Sequence, residues 1–584
     1  MLAVLAVALL PRLLFLGADP PQDMHEHFFT DEAWWAHNAR NHAVFGRWIM
    51  DDHNPPLYGA PLYTVVLRGV YELLGTGLVP TRLLAAVSGA LASVVLYLGL
   101  RARHPRGEAL VPALLLGCSY FAISHSRVGL VESFQLLLIV TAGVGVRLAA
   151  ERPAWGYLGG VGLVLALLAK PTAMALIPAF GLFWLLHWYA ARRDPSLPPF
   201  QLESPRRVIF AAAAAGVLAL ALWLWPVRHE IMNQMRVSRI VSFTDHGIPR
   251  VEFLGLGLVG LRRNGFISQS VVPLLLVALL AAGRLSRREG PRPSLTEWFG
   301  WAWLGGALLL LLPQHYQVDR RFLLLWPAVA ILAAPAMRAP GLALPGRFEG
   351  TGARWRGAAA GLALGGVLGM ILLPWLAEAA GGMVAALGGT PESAIVTPVW
   401  HLAAAVGALL GWWAGPRLPA TPRILPRYVA LGAFLLAEPL RFAEFLRRPT
   451  FTIRGASDSL AALTHHWPER DRVIVGLVAD EFAMNTRLFP FVMRARQNTG
   501  VRMNLDGWTR FEPKITVNRI RPGSDDEEGH GEAYDEARAR DFRVWRVFPI
   551  WPDASGKPRY LAEFLVAPAH CPECPRLAGA PDQR

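Results

Sequence analysis

The sequence predicts a polytopic α-helical membrane protein with a small α/β domain at its C-terminal end. Three observations carry this reading. Hydrophobic residues make up 53% of the 584 positions and charged residues 17%, with a mean hydropathy of +0.33, too apolar for a string of soluble domains. Apolar runs of roughly 17–25 residues, enough to cross a hydrocarbon core about 30 Å thick, recur up to about residue 446. Arginine and lysine gather in alternate loops, as they do on the cytoplasmic side of membrane proteins.

Taken in order, candidate spans lie at 1–17, 80–100, 108–124, 130–150, 155–169, 171–190, 208–226, 266–283, 297–313, 322–338, 357–377, 395–414 and 428–446, about thirteen in all. Met1 to Leu16 reads as a retained first span rather than a signal peptide, because no charged region precedes its apolar core and Arg12 interrupts it. With the N-terminus inside, the basic turns fall on the cytoplasmic side: Arg101 to Arg106, Arg147 with Arg152, Arg192 to Arg207, Arg284 to Arg292, Arg338 to Arg356 and Arg417 to Arg427. The net charge of +14 is then largely a topology signal and gives no reason to expect nucleic-acid binding. The other loops face outward and hold the remaining unusual polar residues.

Beyond Arg448 the apolar runs shorten and charge returns. Residues 449–584 are expected to form an extracytoplasmic α/β domain, with helices at Ser457–Trp467 and Glu481–Phe491 and strands at Arg472–Val478, Phe542–Phe548 and Tyr560–Val566. The acidic tract Gly523–Gly531 lacks the ligand spacing of an EF-hand and reads as a solvated loop. Of three cysteines, Cys118 lies in an apparent span. Cys571 and Cys574 are close enough for a local disulfide outside the cytoplasm.

The first outer loop, 17–61, holds the acidic pair Asp31-Glu32 at the head of a helix, with Thr30 as its N-cap. Carboxylates there are stabilised by free amides and the helix dipole, so capping alone accounts for them. The functional alternative is that Asp31 acts as general base toward a hydroxyl acceptor. His53-Asn54-Pro55-Pro56 precedes a surface helix over 57–75 that would place His53 at the rim of a cavity. Arg127 and Glu132, Lys170, and Arg320 with Arg321 stand at further outer helix junctions. Snorkelling explains each cation singly; together, on the side of the acidic pair, they suit an anionic leaving group such as a phosphate. His25, His27, His37, His42 and His53 match no strong ligand spacing, so no metal is expected.

The run Phe29-Thr30-Asp31-Glu32-Ala33-Trp34-Trp35, then His53-Asn54-Pro55-Pro56-Leu57-Tyr58, Leu73-Leu74-Gly75 and Thr81-Arg82-Leu83-Leu84, resembles polyprenyl-phosphate-sugar-dependent GT-C glycosyltransferases. The resemblance is to bacterial members of glycosyltransferase family 39, relatives of protein O-mannosyltransferases and the lipid A aminoarabinose transferase. Arg127-Val128-Gly129-Leu130-Val131-Glu132, Leu168-Ala169-Lys170-Pro171 and Arg320-Arg321 to Pro327 are similar to that family's later motifs, in the expected order. The resemblance implies a GT-C-like catalytic domain over 1–448 in a bacterial inner or plasma membrane. It implies inverting transfer of a monosaccharide from a polyprenyl-phosphate donor to a protein, lipid or glycan hydroxyl outside the cytoplasm, without a cofactor.

Carried over, Asp31 would be the base and Glu32 an acceptor-positioning or supporting acid. His53, Arg127 and Glu132 would belong to the acceptor and donor site, and Lys170, Arg320 and Arg321 would bind phosphate, with the choice between the two arginines open. Glu132 stands where some relatives have Asp. A flippase for lipid-linked glycans, or an inactive scaffold with an outer binding domain, are the competing readings. A flippase would more often show paired halves with matching intramembrane charges.

Overall fold

The computed structural model describes residues 1–20, 31–50, 54–229, 231–232, 271–286, 292–311, 319–338, 438, 442, 449–476, 478–492, 512–520, 532–552 and 558–575. The chain opens with helix α1 (Leu2–Leu13), and after the first loop α2 (Asp31–Phe45) begins at the predicted acidic pair. α2 is polar yet buried on nearly every face, including Glu32, His37, Asn38, Arg40 and Asn41. Such a helix depends on polar partners from elsewhere for its stability.

The predicted surface helix is two helices, α3 (Pro55–Gly59) and α4 (Pro61–Leu74), each with proline in its first turn, where no amide is needed. Asn38 joins α2 to this segment: its Nδ2 donates to Asn54 Oδ1 at 2.6 Å and its Oδ1 accepts from Leu57 N at 3.2 Å. α4 buries Tyr63, Leu67 and Tyr71, one residue per turn. It stops at Gly75, whose φ of +79° favours glycine.

The membrane part continues through α5 (Leu78–Arg101), α6 (Arg106–Cys118), α7 (Tyr120–Ser126), α8 (Val131–Ala149), α9 (Trp155–Ala169), α10 (Leu176–Arg193), α11 (Glu203–Ala219), α12 (Val271–Ser286), α13 (Leu295–Leu311) and α14 (Trp326–Arg338). α8 and α9 meet through Gly145 and Gly159, where a Cβ on Gly145 would lie 2.5 Å from the Gly159 nitrogen, a close approach only small residues allow. Among the described residues four stretches, Leu78–Arg101, Val131–Ala149, Pro171–Arg193 and Glu203–Leu224, are long and apolar enough to cross a membrane. The predicted span 108–124 is instead broken: α6 and α7 meet at a 53° bend, where Ser119 Oγ caps α7 by accepting from Ala122 N. The predicted spans at 357–377 and 395–414 lie outside the described residues.

The C-terminal module comprises α15 (Thr452–Thr464), β1 (Val473–Gly476), α16 (Ala479–Ala483), β2 (Phe489–Val492), β3 (Ile515–Ile520), α17 (Glu532–Ala539), β4 (Arg543–Pro552) and β5 (Pro558–Val566). The five strands form one mixed sheet in the order β2-β1-β3-β5-β4. β1 is parallel to both its neighbours, and β5 is antiparallel to β3 and β4. Ile453 and Leu460 of α15 and Phe482 of α16 pack with Ile474, Val517 and Phe564 of the sheet. The expected helix over Glu481–Phe491 ends at Ala483 and is followed by β2, an edge strand where Pro490 costs no internal ladder bond. Cys571 and Cys574 form the expected disulfide; the acidic tract 523–531 lies outside the described residues.

The module is bonded to the membrane part at several points. Asp19 accepts from the backbone amides of Thr452 at 2.8 Å and Ile453 at 3.2 Å, capping α15 from a distant segment. Arg40 Nη2 donates to the carbonyls of Thr486 and Leu488 at 2.8 and 2.9 Å. Asn485 Oδ1 accepts from Leu78 N at 2.9 Å, at the first residue of α5.

Candidate active site

Asp31 and Glu32 are adjacent, so their side chains leave α2 in different directions, and each finds an arginine. Asp31 pairs with Arg320, which lies in a 3-10 turn, Asp319–Leu325, leading into α14. The Arg320 Nε is also 3.0 Å from Glu132 Oε1, in the first turn of α8. Lys170, at the end of α9, donates from Nζ to the same Glu132 oxygen at 2.5 Å, and its ammonium lies 4.8 Å from the ring centroid of Trp35. Four elements distant in sequence thus bring Asp31, Glu132, Lys170 and Arg320 to one point. Two carboxylates and two cations balance there, as buried charges require.

Glu32 takes no part in that cluster. Its oxygens accept from Arg82 Nε at 2.7 Å and Nη2 at 2.9 Å, a two-pronged pair. Oε1 also accepts from Gly129 N at 2.6 Å. Arg82 continues to the carbonyl of Leu16 at 3.0 Å. The Glu32 side chain is 2% exposed against 20% for Asp31, so of the two only Asp31 is reachable from outside. Gly129 matters here for its missing Cβ, which would stand 2.5 Å from Thr81 Cγ2 and 2.9 Å from Glu32 Oε1.

A tight crevice lies beside the charged cluster, with Glu132, Gln135, Thr172, Arg320 and Arg321 on its polar wall. Gln135 Nε2 donates to the Lys170 carbonyl at 2.7 Å, and Thr172 Oγ1 donates to Gln135 Oε1 at 3.1 Å, which fixes that wall. Glu132 Oε2 is buried and has no hydrogen-bond partner among the described residues.

The other predicted residues are placed apart. Arg127 reaches α1 and donates to the carbonyls of Pro11, Arg12 and Phe15 at 2.9, 3.2 and 2.9 Å; it closes the C-terminal end of that helix. His53 lies outside the described residues, though Asn54 beside it is bonded to Asn38. The sequence reading assigned no role to Arg82, Asn38, Trp35 or Gln135. Of these, Arg82 carries a signal in the sequence, since a charged residue inside an apolar run calls for a partner. Among the described residues no three His, Cys, Asp or Glu side chains cluster closely enough to hold a metal ion.

Residues 55–197 match the protein family described as dolichyl-phosphate-mannose-protein mannosyltransferase, a segment that includes Arg82, Glu132 and Lys170. The structure is similar to the crystal structure of ArnT from Cupriavidus metallidurans in the apo state, with a TM-score of 0.50, 16% identity, and coverage of 96% of this chain and 97% of that one. ArnT from the same organism bound to undecaprenyl phosphate gives a TM-score of 0.50 at 14% identity with the same coverage. No curated protein matches by sequence. At these identities the structural likeness is one of fold: GT-C, as the motif order suggested.

Proposed function

We propose that this protein is an inverting glycosyltransferase that moves a monosaccharide from a polyprenyl-phosphate donor to a hydroxyl acceptor on the extracytoplasmic face of a bacterial inner or plasma membrane. The observation that supports it best is the meeting of Asp31, Glu132, Lys170 and Arg320 beside a polar crevice, in a fold shared with a protein whose structure holds undecaprenyl phosphate.

In this reading Asp31 accepts the acceptor's hydroxyl proton as its oxygen attacks the anomeric carbon. The carbon–oxygen bond to phosphate breaks and its electron pair leaves on the phosphate oxygen, giving the glycoside and free polyprenyl phosphate. Arg320 orients the Asp31 carboxylate, and Arg321, on the crevice wall, is assigned to the phosphate, with Lys170 supporting. Fixed cations stabilise the developing charge without waiting for solvent to reorganise. The free oxygen of Glu132 is assigned to a hydroxyl of the sugar or acceptor, and Glu32 to holding α2 in place.

The test is transfer by the purified protein in vesicles, supplied with a panel of undecaprenyl-phosphate hexoses and pentoses and with extracts of envelope lipid, glycan and protein. Labelled product and released undecaprenyl phosphate are expected with one donor, and neither with the Asp31→Asn protein. Movement of intact donor across the vesicle without transfer would replace this reading with a flippase.

A further inference from the structure

The first turn of α2, which carries Asp31, is held from outside the membrane part. The Ala33 amide donates to Glu481 Oε2 at 3.3 Å. Two turns further along α2, Arg40 reaches the carbonyls of Thr486 and Leu488, and between those contacts Asn485 grips the start of α5. One short stretch, 481–488, thus binds both α2 and the helix that supplies Arg82. Glu481 is 1% exposed and has no place in the reaction described above.

The surroundings of Glu481 are acidic. Glu32 faces it from α2 and Asp480 from its own helix, against Arg82 from α5; Arg40 lies near Asp480, and Asp19 near Arg82. We propose that Glu481 is a positioning residue that fixes the first turn of α2, and with it Asp31, so that the C-terminal module forms part of the catalytic machinery. This rests on the reading of Asp31 as the base.

A neutral carboxyl group suits this place. Burial first, then the charges of Glu32 and Asp480, raise the Glu481 carboxyl well above the usual range. In that form its carbonyl oxygen accepts the Ala33 amide without setting another anion beside Glu32. Once ionised, Glu481 would leave three carboxylates facing the Arg82 guanidinium. Repulsion would loosen the stretch 481–488 from α2 and displace Asp31 relative to Arg320.

The full-length protein in lipid nanodiscs, as wild type, Glu481→Gln and Glu481→Ala, is compared from pH 6 to pH 9. Hydrogen exchange is followed in peptides spanning Asp31–Phe45, corrected for intrinsic rates, and turnover is measured with the undecaprenyl-phosphate sugar panel. Glu481→Ala should lower protection in the first turns of α2 roughly tenfold, as the loss of one buried hydrogen bond implies, and reduce kcat with little change in donor KM. Glu481→Gln should keep both and sustain them to higher pH than the wild type. Unchanged α2 protection in Glu481→Ala, or a Glu481→Gln protein as impaired as Glu481→Ala, overturns the proposal. If Glu481→Ala does not fold, identical pH dependence in Glu481→Gln and the wild type overturns it. Should the wild type transfer no sugar from the panel, the proposed function fails while hydrogen exchange still decides the role of Glu481.

Discussion

Asp31 and Glu32 differ by one methylene and one position, yet their surroundings separate them. Asp31 is accessible and aligned by Arg320; Glu32 is sealed against Arg82 and Gly129. Asp31→Asn should therefore reduce turnover by about 10²–10⁴, with a smaller fall in melting temperature than Glu32→Gln because its ion pair is partly exposed. Glu32→Gln should do the reverse in kind: breaking a buried two-pronged pair costs about 3–5 kcal/mol, so lower yield and a lower melting temperature should precede any catalytic defect. Equal melting temperatures for the two variants would remove the distinction. Arg320 and Arg321 should also separate. Arg321→Ala is expected to weaken donor binding roughly 10- to 100-fold, the range for a lost charged hydrogen bond, whereas Arg320→Ala should act mainly on kcat. Titration with undecaprenyl phosphate beside steady-state kinetics checks both. Asp31 was legible as an acid at the head of a helix in the first outer loop, and Glu132, Lys170 and Arg320 as charges at the ends of apolar runs. Glu481 was not, because nothing local shows that it meets a helix 448 positions away.

At the scale of elements, the segment between α7 and α8 does more than connect them. Arg127 at its start closes α1, Gly129 holds Glu32 through its amide and Tyr63 through its carbonyl at 3.0 Å, and Glu132 at its end enters the charged cluster. Gly129→Ala should push Thr81 and Glu32 apart, giving a strong loss of folded protein by size-exclusion profile; a normal profile would show that the turn can yield. Helices with one-sided apolar patterns, such as α4, were readable from the sequence. The errors fell where another force sets the structure. At the break between α6 and α7 the free amides are met by Ser119 and by the distant Glu438, which accepts from Tyr120 N. β3, absent from the sequence reading, carries buried Thr516 and Asn518 that interrupt its apolar pattern, and β2 was hidden by the short helix before it.

For the whole molecule, the alternation of basic loops predicts that the charged cluster and the C-terminal module face outward. A periplasm-dependent reporter fused after Arg448 should be active; activity only from a cytoplasm-dependent reporter would separate the module from the side that the proposed reaction requires. Stability should also depend on pH through Glu481. Its carboxyl is raised in the folded protein, so the unfolded chain loses that proton first, and between the ordinary carboxylate range and the raised folded value stability falls as pH rises. Melting curves should show this slope in the wild type, reduced in Glu481→Gln; parallel slopes would mean that Glu481 already ionises normally.

The contacts from Arg40 to Thr486 and Leu488, and from Ala33 to Glu481, join residues 446 to 448 positions apart. A ribosome adds residues one at a time, at about 5–20 per second, so α2 waits tens of seconds for the segment that holds it. During that interval the helix that carries Asp31 lacks the contacts that secure it. If the proposed reaction holds, a growing chain would be inert toward lipid-linked sugar until residues 481–488 have been made, and a product cut short before residue 481 would occupy the membrane without consuming donor.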